Sequence, residues 1–156
     1  MTLNSMAPLE PVIGVIGTGY LGTTHAACMA ELGFEVVAQD QSRERVARLA
    51  AGELPFYEPA LAELVRRHTS SGRLRFTADV ADVAAAADVH FLCVGTPQAG
   101  EGMAAATSQV FAAARALAMC LERDALIVGK STVPVGTTEA LAAELAPLAA
   151  PGIEVE

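Results

Sequence analysis

Val-Ile-Gly-Val-Ile-Gly-Thr-Gly-Tyr-Leu-Gly, residues 12–22, is the stretch from which the architecture of this chain follows. Val12–Ile16 is a short apolar run, long enough for one buried strand. Gly17, Gly19 and Gly22 then give the spacing Gly-x-Gly-x-x-Gly, and a helical pattern follows them. The motif alone is a weak signal, because a glycine-rich turn without a ligand has the same letters.

The three glycines have separate physical roles in a turn that holds a pyrophosphate. Gly17 permits the tight turn, Gly19 lets the phosphates approach the backbone, and Gly22 lets the helix lie close to the strand. The free N–H groups and the dipole of that helix then face the phosphates. Asp40 ends the next strand-like run, 18 residues after Gly22, where its carboxylate can accept both ribose hydroxyls of an adenosine. This combined context predicts dinucleotide binding.

Short apolar runs alternate with longer helical stretches along the whole chain. The predicted strands are Val12–Ile16, Glu35–Gln39, Leu74–Phe76, Val89–Val94, Ala125–Gly129 and Ile153–Val155. Because most of these runs are apolar without alternation, we expect strands buried on both faces, in a parallel sheet. Right-handed crossovers then give an α/β fold with a doubly wound, mostly parallel, Rossmann-like sheet and helices on both faces.

The first helix is predicted over Tyr20–Leu32. Leu21, Cys28 and Leu32 fall on one helical face, which we expect to pack against the sheet. His25 lies near that face and is expected to be a packed, hydrogen-bonded histidine rather than a metal ligand, because no other ligand-type residue accompanies it.

Turn and cap residues mark further boundaries. Ser42 is predicted to cap the second helix, and Thr137 or Thr138 the last one. Between them, two prolines bracket an aromatic pair in the stretch 55–59, Pro-Phe-Tyr-Glu-Pro, which predicts a rigid turn whose rings pack on the core.

Length and composition indicate one globular domain. The chain has 156 residues and is 53% hydrophobic, yet none of its apolar runs reaches the roughly 18 residues that a membrane helix needs. Residues 1–11 lack the pattern of a secretory signal and are predicted to be a disordered leader, followed by the nucleotide-binding domain over 12–156.

Charge and cysteine content argue against three features: nucleic-acid binding, a zinc site and a disulfide framework. The formal net charge of −8 argues against nucleic acid, which is bound by clusters of Lys and Arg. Cys28, Cys93 and Cys120 are odd in number, widely spaced and set in apolar segments, so neither a zinc site nor a disulfide framework is expected. We therefore predict three reduced, buried, structural thiols and a cytoplasmic location.

Several stretches in order resemble the UDP-glucose 6-dehydrogenase family, within the wider UDP-glucose/GDP-mannose dehydrogenase group. They are Gly17–Gly22, Ala27–Gly33, Pro55–Pro59, Gly72–Thr77, Val94–Pro97 and Lys130–Thr137. Their order and spacing extend over nearly the whole chain from Pro11 onward. The resemblance identifies this chain as the NAD-binding amino-terminal domain of such an enzyme.

The resemblance implies NAD as cofactor and a four-electron oxidation of UDP-glucose to UDP-glucuronate with two NAD. In the family, a cysteine captures the intermediate aldehyde as a thiohemiacetal, and the thioester formed next is hydrolysed. A nucleotide sugar is then the small-molecule partner of the full-length protein, which is expected to be a homo-oligomer, with neither nucleic acid nor membrane as partner.

The resemblance also assigns roles to individual residues. Tyr20 and Leu21 line the pyrophosphate turn, and Asp40 and Arg45 hold the adenosine ribose. Thr96 lies near the cofactor. Thr132 lies close to the nicotinamide, where it positions a water, and is the one candidate catalytic residue. For both threonines the alternative is a structural role, with the hydroxyl capping a loop.

Two departures from the family pattern limit what this chain is expected to do. The segment 101–107 is one residue longer than usual and lacks its second acid. The family's catalytic Glu, its Lys and Asn, and its nucleophilic Cys all correspond to positions beyond Glu156, and none of the three cysteines here matches the nucleophile. We therefore expect a fragment that binds NAD and is inactive alone.

Two alternatives remain open from the sequence. One is a related enzyme acting on GDP-mannose or a UDP-N-acetylhexosamine, which the cofactor domain barely distinguishes. The other is a non-catalytic dinucleotide-binding module.

Overall fold

The structure, a computed structural model, describes residues 9–97 and 106–156, with backbone only for Leu9 and Glu10. The strands are β1 (Leu9–Ile16), β2 (Phe34–Gln39), β3 (Leu74–Thr77), β4 (Val89–Leu92) and β5 (Leu126–Gly129). The helices are α1 (Tyr20–Leu32), α2 (Arg43–Ala50), α3 (Pro59–Ser70), α4 (Val80–Ala86), α5 (Ser108–Ala118) and α6 (Thr137–Leu145).

The five strands form one parallel sheet in the order β3-β2-β1-β4-β5. The predicted fold class is confirmed. The chain winds outward from β1 to β3 and then returns to the other side of β1 through β4. The strand order therefore reverses between β1 and β4, and ligands of open α/β sheets bind at the carboxyl ends of the strands at such a point.

The predicted strand boundaries differ from the observed ones at the ends. β1 begins at Leu9, so the predicted leader overlaps the sheet by three residues, while residues 1–8 lie outside the described part. β4 ends at Leu92 instead of Val94. The predicted strand Ile153–Val155 is not formed; Val155 makes a single parallel bridge with Ala125 beside β5.

Alternate residues of β1 and β2 enter two apolar clusters on opposite faces of the sheet. Val15 and Val36 belong to the cluster under α1 and α3. Ile16 and Val37 belong to the cluster that also contains buried residues of α4, α5 and α6. Because both faces are covered by helices, the central strands read as continuous apolar runs.

The predicted buried face of α1 is wrong. Leu21, Cys28 and Leu32 are all exposed, Leu32 by 63%. The buried residues of α1 are small: Gly22, Thr23, Ala26, Ala27 and Ala30. The helix lies so close to the sheet that small side chains and the partly buried Met29 fill the contact, while Leu21 and Leu32 point outward.

One cap prediction is confirmed and one is wrong. Ser42 accepts the N–H of Arg45 at 3.2 Å and caps α2. The N-cap of α6 is Gly136, with φ of 88°, and Thr137 is already helical. The Thr137 hydroxyl instead donates to the carbonyl of Pro134 at 2.7 Å, which closes the turn before the helix.

The aromatic pair before α3 divides between core and solvent. Phe56 packs against the cluster under α1 and α3, whereas Tyr57 is 92% exposed. The prediction that both rings pack on the core holds for Phe56 and is wrong for Tyr57.

The cysteines likewise differ in burial. Cys93 is buried and Cys120 half-buried, but Cys28 lies on the outer face of α1, so the prediction of three buried thiols is wrong for Cys28.

Within residues 9–97 and 106–156, every helix is too short or too polar to cross a bilayer.

Candidate dinucleotide-binding site

The site lies where the carboxyl ends of β1, β2 and β4 meet. Beyond the strand ends, the N–H of Gly17 donates to the carbonyl of Gln39 and the N–H of Cys93 to that of Ile16, both at 2.8 Å. These bonds extend the sheet pairing by one residue on each side of β1. The glycine turn is therefore fixed between the loops that follow its two neighbouring strands.

Two of the three glycines of the motif have a measurable structural reason to be glycine. Gly17 has φ of 94°, which side-chain-bearing residues rarely adopt. A Cβ on Gly22 would lie 1.8 Å from the carbonyl oxygen of Gly17, so the close approach of α1 requires its absence. A Cβ on Gly19 would meet nothing within 4 Å. Gly17 and Gly22 thus build the turn, while Gly19 borders open space.

The start of α1 offers unpaired donors to that space. Thr23 makes the first N–H bond of the helix, to the carbonyl of Gly19 at 2.9 Å. Within the described residues, the N–H groups of Tyr20, Leu21 and Gly22 have no partner. The first turn of α1 also carries no acidic residue. Unpaired N–H groups and the positive end of the helix dipole make this position attractive to an anion.

Tyr20 and Leu21 are exposed beside the turn, Tyr20 by 57%. The ring of Tyr20 contacts that of Phe56, with ring centroids 5.1 Å apart. The two residues that the resemblance assigned to the pyrophosphate turn therefore flank its open side.

Asp40 follows β2 and is almost enclosed, with 8% of its surface exposed. Its Oδ2 accepts from Nη1 of Arg45 at 2.9 Å and from the N–H and the hydroxyl of Thr18, each at 3.0 Å. Its Oδ1 accepts the N–H of Ser42 at 2.9 Å. The structure thus brings Asp40 and Arg45 together beside the glycine turn.

Hydrogen bonds keep Asp40 ionised in spite of its burial. Burial is the largest single influence on the pKa of this carboxyl and acts to raise it. The donors from Ser42, Thr18 and Arg45 act together in the opposite direction and hold the pKa below its ordinary value. The site therefore contains a charged acceptor at neutral pH.

Thr18 was not predicted to belong to the site. It occupies the variable position between Gly17 and Gly19, is 0% exposed, and donates twice to Asp40. The sequence signal for this role is a residue with a hydroxyl group between the first two glycines of the motif. That signal does not reveal that the hydroxyl donates to Asp40, 22 residues later.

Thr96 and Thr132 lie on the loops that follow β4 and β5, Thr96 half-buried and Thr132 exposed. Neither hydroxyl has a hydrogen-bond partner within the described residues, so the alternative of loop capping finds no support there. That role belongs to Ser131, whose hydroxyl donates to the carbonyl of Val94 at 2.7 Å and ties the two loops together. Residues 98–105, which include most of the divergent segment 101–107, lie outside the described part.

Cys93, beside Gly17, and His25, on α1, are titratable residues whose pKa values are shifted by burial. Burial raises the pKa of the Cys93 thiol to about 11, although nearby Lys130 acts to lower it. Burial and Lys130 both lower the pKa of His25. His25 packs against Phe91 as expected, but its buried Nε2 lacks a partner among the described residues, so the predicted hydrogen bond is wrong for that atom.

The geometry fits the central part of a dinucleotide. Unpaired N–H groups at the start of α1 and the open space beside Gly19 suit a pyrophosphate. The ionised Asp40 suits a ribose diol, which offers two hydroxyl donors. The chemistry of the donors and acceptor therefore matches the group that the glycine motif implies.

Comparisons with known proteins show the family to which the chain belongs. A family model described as the UDP-glucose/GDP-mannose dehydrogenase family, NAD binding domain, matches residues 12–152. A UDP-glucose 6-dehydrogenase of Pseudomonas aeruginosa is 49% identical over 125 residues, which cover 80% of this chain and 27% of that protein.

Solved structures give the same result. A UDP-glucose dehydrogenase from Pyrobaculum islandicum superposes with a TM-score of 0.85 at 42% identity, over 94% of this chain and 36% of that one. A GDP-mannose dehydrogenase from Pseudomonas aeruginosa, solved as a ternary complex, superposes with a TM-score of 0.83 at 27% identity, over 93% and 35%. The chain thus spans about a quarter to a third of the length of these three relatives.

Proposed function

This chain belongs to the UDP-glucose/GDP-mannose dehydrogenase family, as its NAD-binding domain, and we propose that it binds NAD at the carboxyl ends of β1 and β2. One observation carries the proposal. Unpaired N–H groups at the start of α1 and an ionised carboxylate, Asp40, directly after the neighbouring strand occur together at the same edge of the sheet. The first suits a diphosphate and the second a ribose, at one edge of one sheet.

Individual residues have distinct parts in this proposal. Gly19, flanked by Tyr20 and Leu21, receives the pyrophosphate, and Gly17 and Gly22 keep the turn tight enough to do so. Asp40 accepts from the adenosine ribose, with Arg45 beside it. When bound, NAD supplies a hydride acceptor.

The proposal assigns Thr96 and Thr132 to the side of the site away from Asp40, because β4 and β5, which precede their loops, lie on the other side of β1 from β2. The exposure of Thr132 on the loop after β5 supports a role for its hydroxyl in orienting a water or ligand group, because that hydroxyl has no partner within the described residues. Ser131 and Val94 hold the loop in place.

We propose that the full-length protein oxidises UDP-glucose to UDP-glucuronate with two NAD, and that these 156 residues bind NAD without turnover. The 49% identity to a UDP-glucose 6-dehydrogenase supports this substrate. The buried Cys93, whose thiol is protonated at neutral pH, is unsuited to capture an aldehyde. A cytoplasmic location and homo-oligomerisation of the full-length protein belong to the same proposal; unpaired cysteines support the former.

GDP-mannose remains the second candidate substrate, because a GDP-mannose dehydrogenase shares the fold at 27% identity. The full-length protein should produce NADH faster with UDP-glucose than with GDP-mannose or a UDP-N-acetylhexosamine. A non-catalytic module would produce none with any of them.

Isothermal titration of this chain with NAD tests the binding proposal directly. We expect saturable binding with one NAD per chain and no NADH when UDP-glucose is added. Absence of binding by the folded chain would refute the cofactor site. NADH production would refute the view that the oxidation needs residues outside this chain.

A further inference from the structure

Thr18 is enclosed, and both of its donors serve one carboxylate oxygen. Its N–H and its hydroxyl each donate to Oδ2 of Asp40 at 3.0 Å, and its side chain is 0% exposed. A buried threonine hydroxyl needs a partner, and here the partner is an ionised group, so the hydrogen bond is of the stronger, charge-assisted kind.

The donors are divided unequally between the two oxygens of Asp40. Oδ2 accepts three, two from Thr18 and one from Arg45, whereas Oδ1 accepts only the N–H of Ser42. A carboxylate offers about four lone-pair sites, two on each oxygen. Oδ2 is therefore crowded, and Oδ1 retains an acceptor site for a ligand hydroxyl.

The donors to Oδ2 differ in how easily they are replaced. The N–H and hydroxyl of Thr18 are held in the glycine turn, whereas the Arg45 side chain is 41% exposed and reaches Asp40 from the surface. A second ribose hydroxyl that binds Oδ2 must displace one donor, and the Arg45 guanidinium is the one free to leave.

Thr18 also joins Asp40 to α1. Its carbonyl accepts the hydroxyl of the buried Thr23, on the second turn of α1, at 2.9 Å. The chain of contacts from Asp40 through Thr18 to Thr23 therefore fixes the ribose acceptor relative to the helix whose N–H groups face the phosphates.

We propose that Thr18 is a positioning residue for NAD, which holds Asp40 so that Oδ1 faces the ribose and leaves Arg45 as the exchangeable donor. This inference rests on the proposed binding of NAD. In this role the side chain of Thr18, at the variable position of the glycine motif, sets the orientation of the Asp40 carboxylate.

Calorimetric titration of matched variants with NAD tests the role. Thr18→Val keeps the shape and the N–H but removes the hydroxyl, and we expect about tenfold weaker binding of NAD, the lower end of the range for a lost hydrogen bond to a charged group. Thr18→Ser restores the hydroxyl and should bind within about threefold of the unaltered chain. Thr69→Val removes a threonine hydroxyl that donates to the carbonyl of Val65 on α3, and should leave the affinity unchanged.

A double-mutant cycle separates positioning from a general structural effect. Once Asp40→Asn is present, Thr18→Val should have little further effect on NAD affinity, because the group that Thr18 positions has lost its charge. Equal effects of Thr18→Val with and without Asp40→Asn would overturn the proposal.

A third measurement, by NMR, tests the contact between Thr18 and Asp40 without NAD. In NMR titrations of the unaltered chain, the Thr18 amide resonance should follow the ionisation of Asp40, and in Thr18→Val the pKa of Asp40 should rise. A Thr18 amide that does not respond to Asp40 would exclude the contact. If NAD fails to bind while this response is seen, the proposed function fails and the contact stands; if NAD binds and Thr18→Val binds it equally well, the positioning role is refuted.

Discussion

Gly19→Ala and Gly22→Ala should separate cofactor binding from folding, although the two glycines are three residues apart in one motif. A Cβ at Gly19 meets nothing within 4 Å, and the φ of −67° and ψ of −167° there suit alanine. A Cβ at Gly22 would lie 1.8 Å from the carbonyl oxygen of Gly17. The same added methyl group is therefore harmless to one part of the turn and incompatible with the other.

The expected free energies of unfolding follow from these contacts. Gly19→Ala gains about 0.4–1 kcal/mol by restricting the unfolded chain. It loses a similar amount because alanine is a poor N-cap for α1, so we expect a net change within about 1 kcal/mol. At Gly22 the helix or the turn must move by more than 1 Å, and overpacking of this kind costs about 1–3 kcal/mol or more.

Affinity for NAD should respond differently from stability. The alanine methyl group at Gly19 occupies the space through which a pyrophosphate approaches the backbone, so we expect at least tenfold weaker binding, about 1.4 kcal/mol. Urea unfolding followed by circular dichroism measures the first quantity, and calorimetric titration with NAD measures the second. Each variant serves as the control for the other.

Two results would refute this reasoning. Gly19→Ala binding NAD as tightly as the unaltered chain would show that the ligand does not approach the backbone there. Gly22→Ala with unchanged stability would show that α1 is not held against the turn as closely as the structure indicates.

Three further predictions concern single side chains. Asp40→Asn should raise the affinity for NADP relative to NAD at least tenfold, because a carboxylate about 4 Å from a phosphate costs about 4 kcal/mol at an effective dielectric constant of 20; an unchanged ratio in competition titrations would contradict this. His90 is fully buried, and burial lowers its pKa from 6.5 to about 4. Below pH 6.5 the unfolded chain therefore takes up a proton that the folded chain resists, and stability falls as the pH drops toward 4 by up to about 3 kcal/mol. His90→Leu should flatten that part of the pH profile in urea unfolding; an identical profile would refute it. Ser42→Ala should cost about 1 kcal/mol through loss of the cap of α2, and an unchanged urea midpoint would show that the cap is not needed.

The sequence predicted the features that depend on local pattern. The positions of the five strands, the start and end of α1 and the cap at Ser42 were all read from residues adjacent in the chain. The glycine roles were also predictable, because a tight turn and a close helix contact each require the absence of a Cβ at a defined spacing.

What the sequence could not give depends on tertiary contact. The buried face of α1 includes Ala26, Ala27 and Ala30, whose small side chains carry little hydrophobic signal, so the larger Leu21 and Leu32 were wrongly placed inside. Because Gly22 lets α1 lie close to the turn after β1, small side chains face the core there and the larger Leu21 and Leu32 do not.

The role of Thr18 was missed for a similar reason. Its partner Asp40 directly follows β2, and only the parallel pairing of β1 with β2 brings the two side chains together. The cap of α6 was missed because Gly136, in a left-handed conformation, precedes two threonines that are both common capping residues.

The central place of β1 also bears on how the chain acquires its structure during synthesis. The N–H of Val12 in β1 donates to the carboxylate of Asp88, 76 residues later. Pairing two parallel strands across such a separation closes a long loop, and the entropy of that closure is lost before the contacts between the strands can offset it. Such topologies fold more slowly than helical bundles. A nascent chain that has not yet emerged beyond β4 presents one side of β1 unpaired, open to association with other strands. The arrival of β4 pairs the second side of β1 and places Cys93 behind Gly17, so the glycine turn gains these contacts only after β4 has been made.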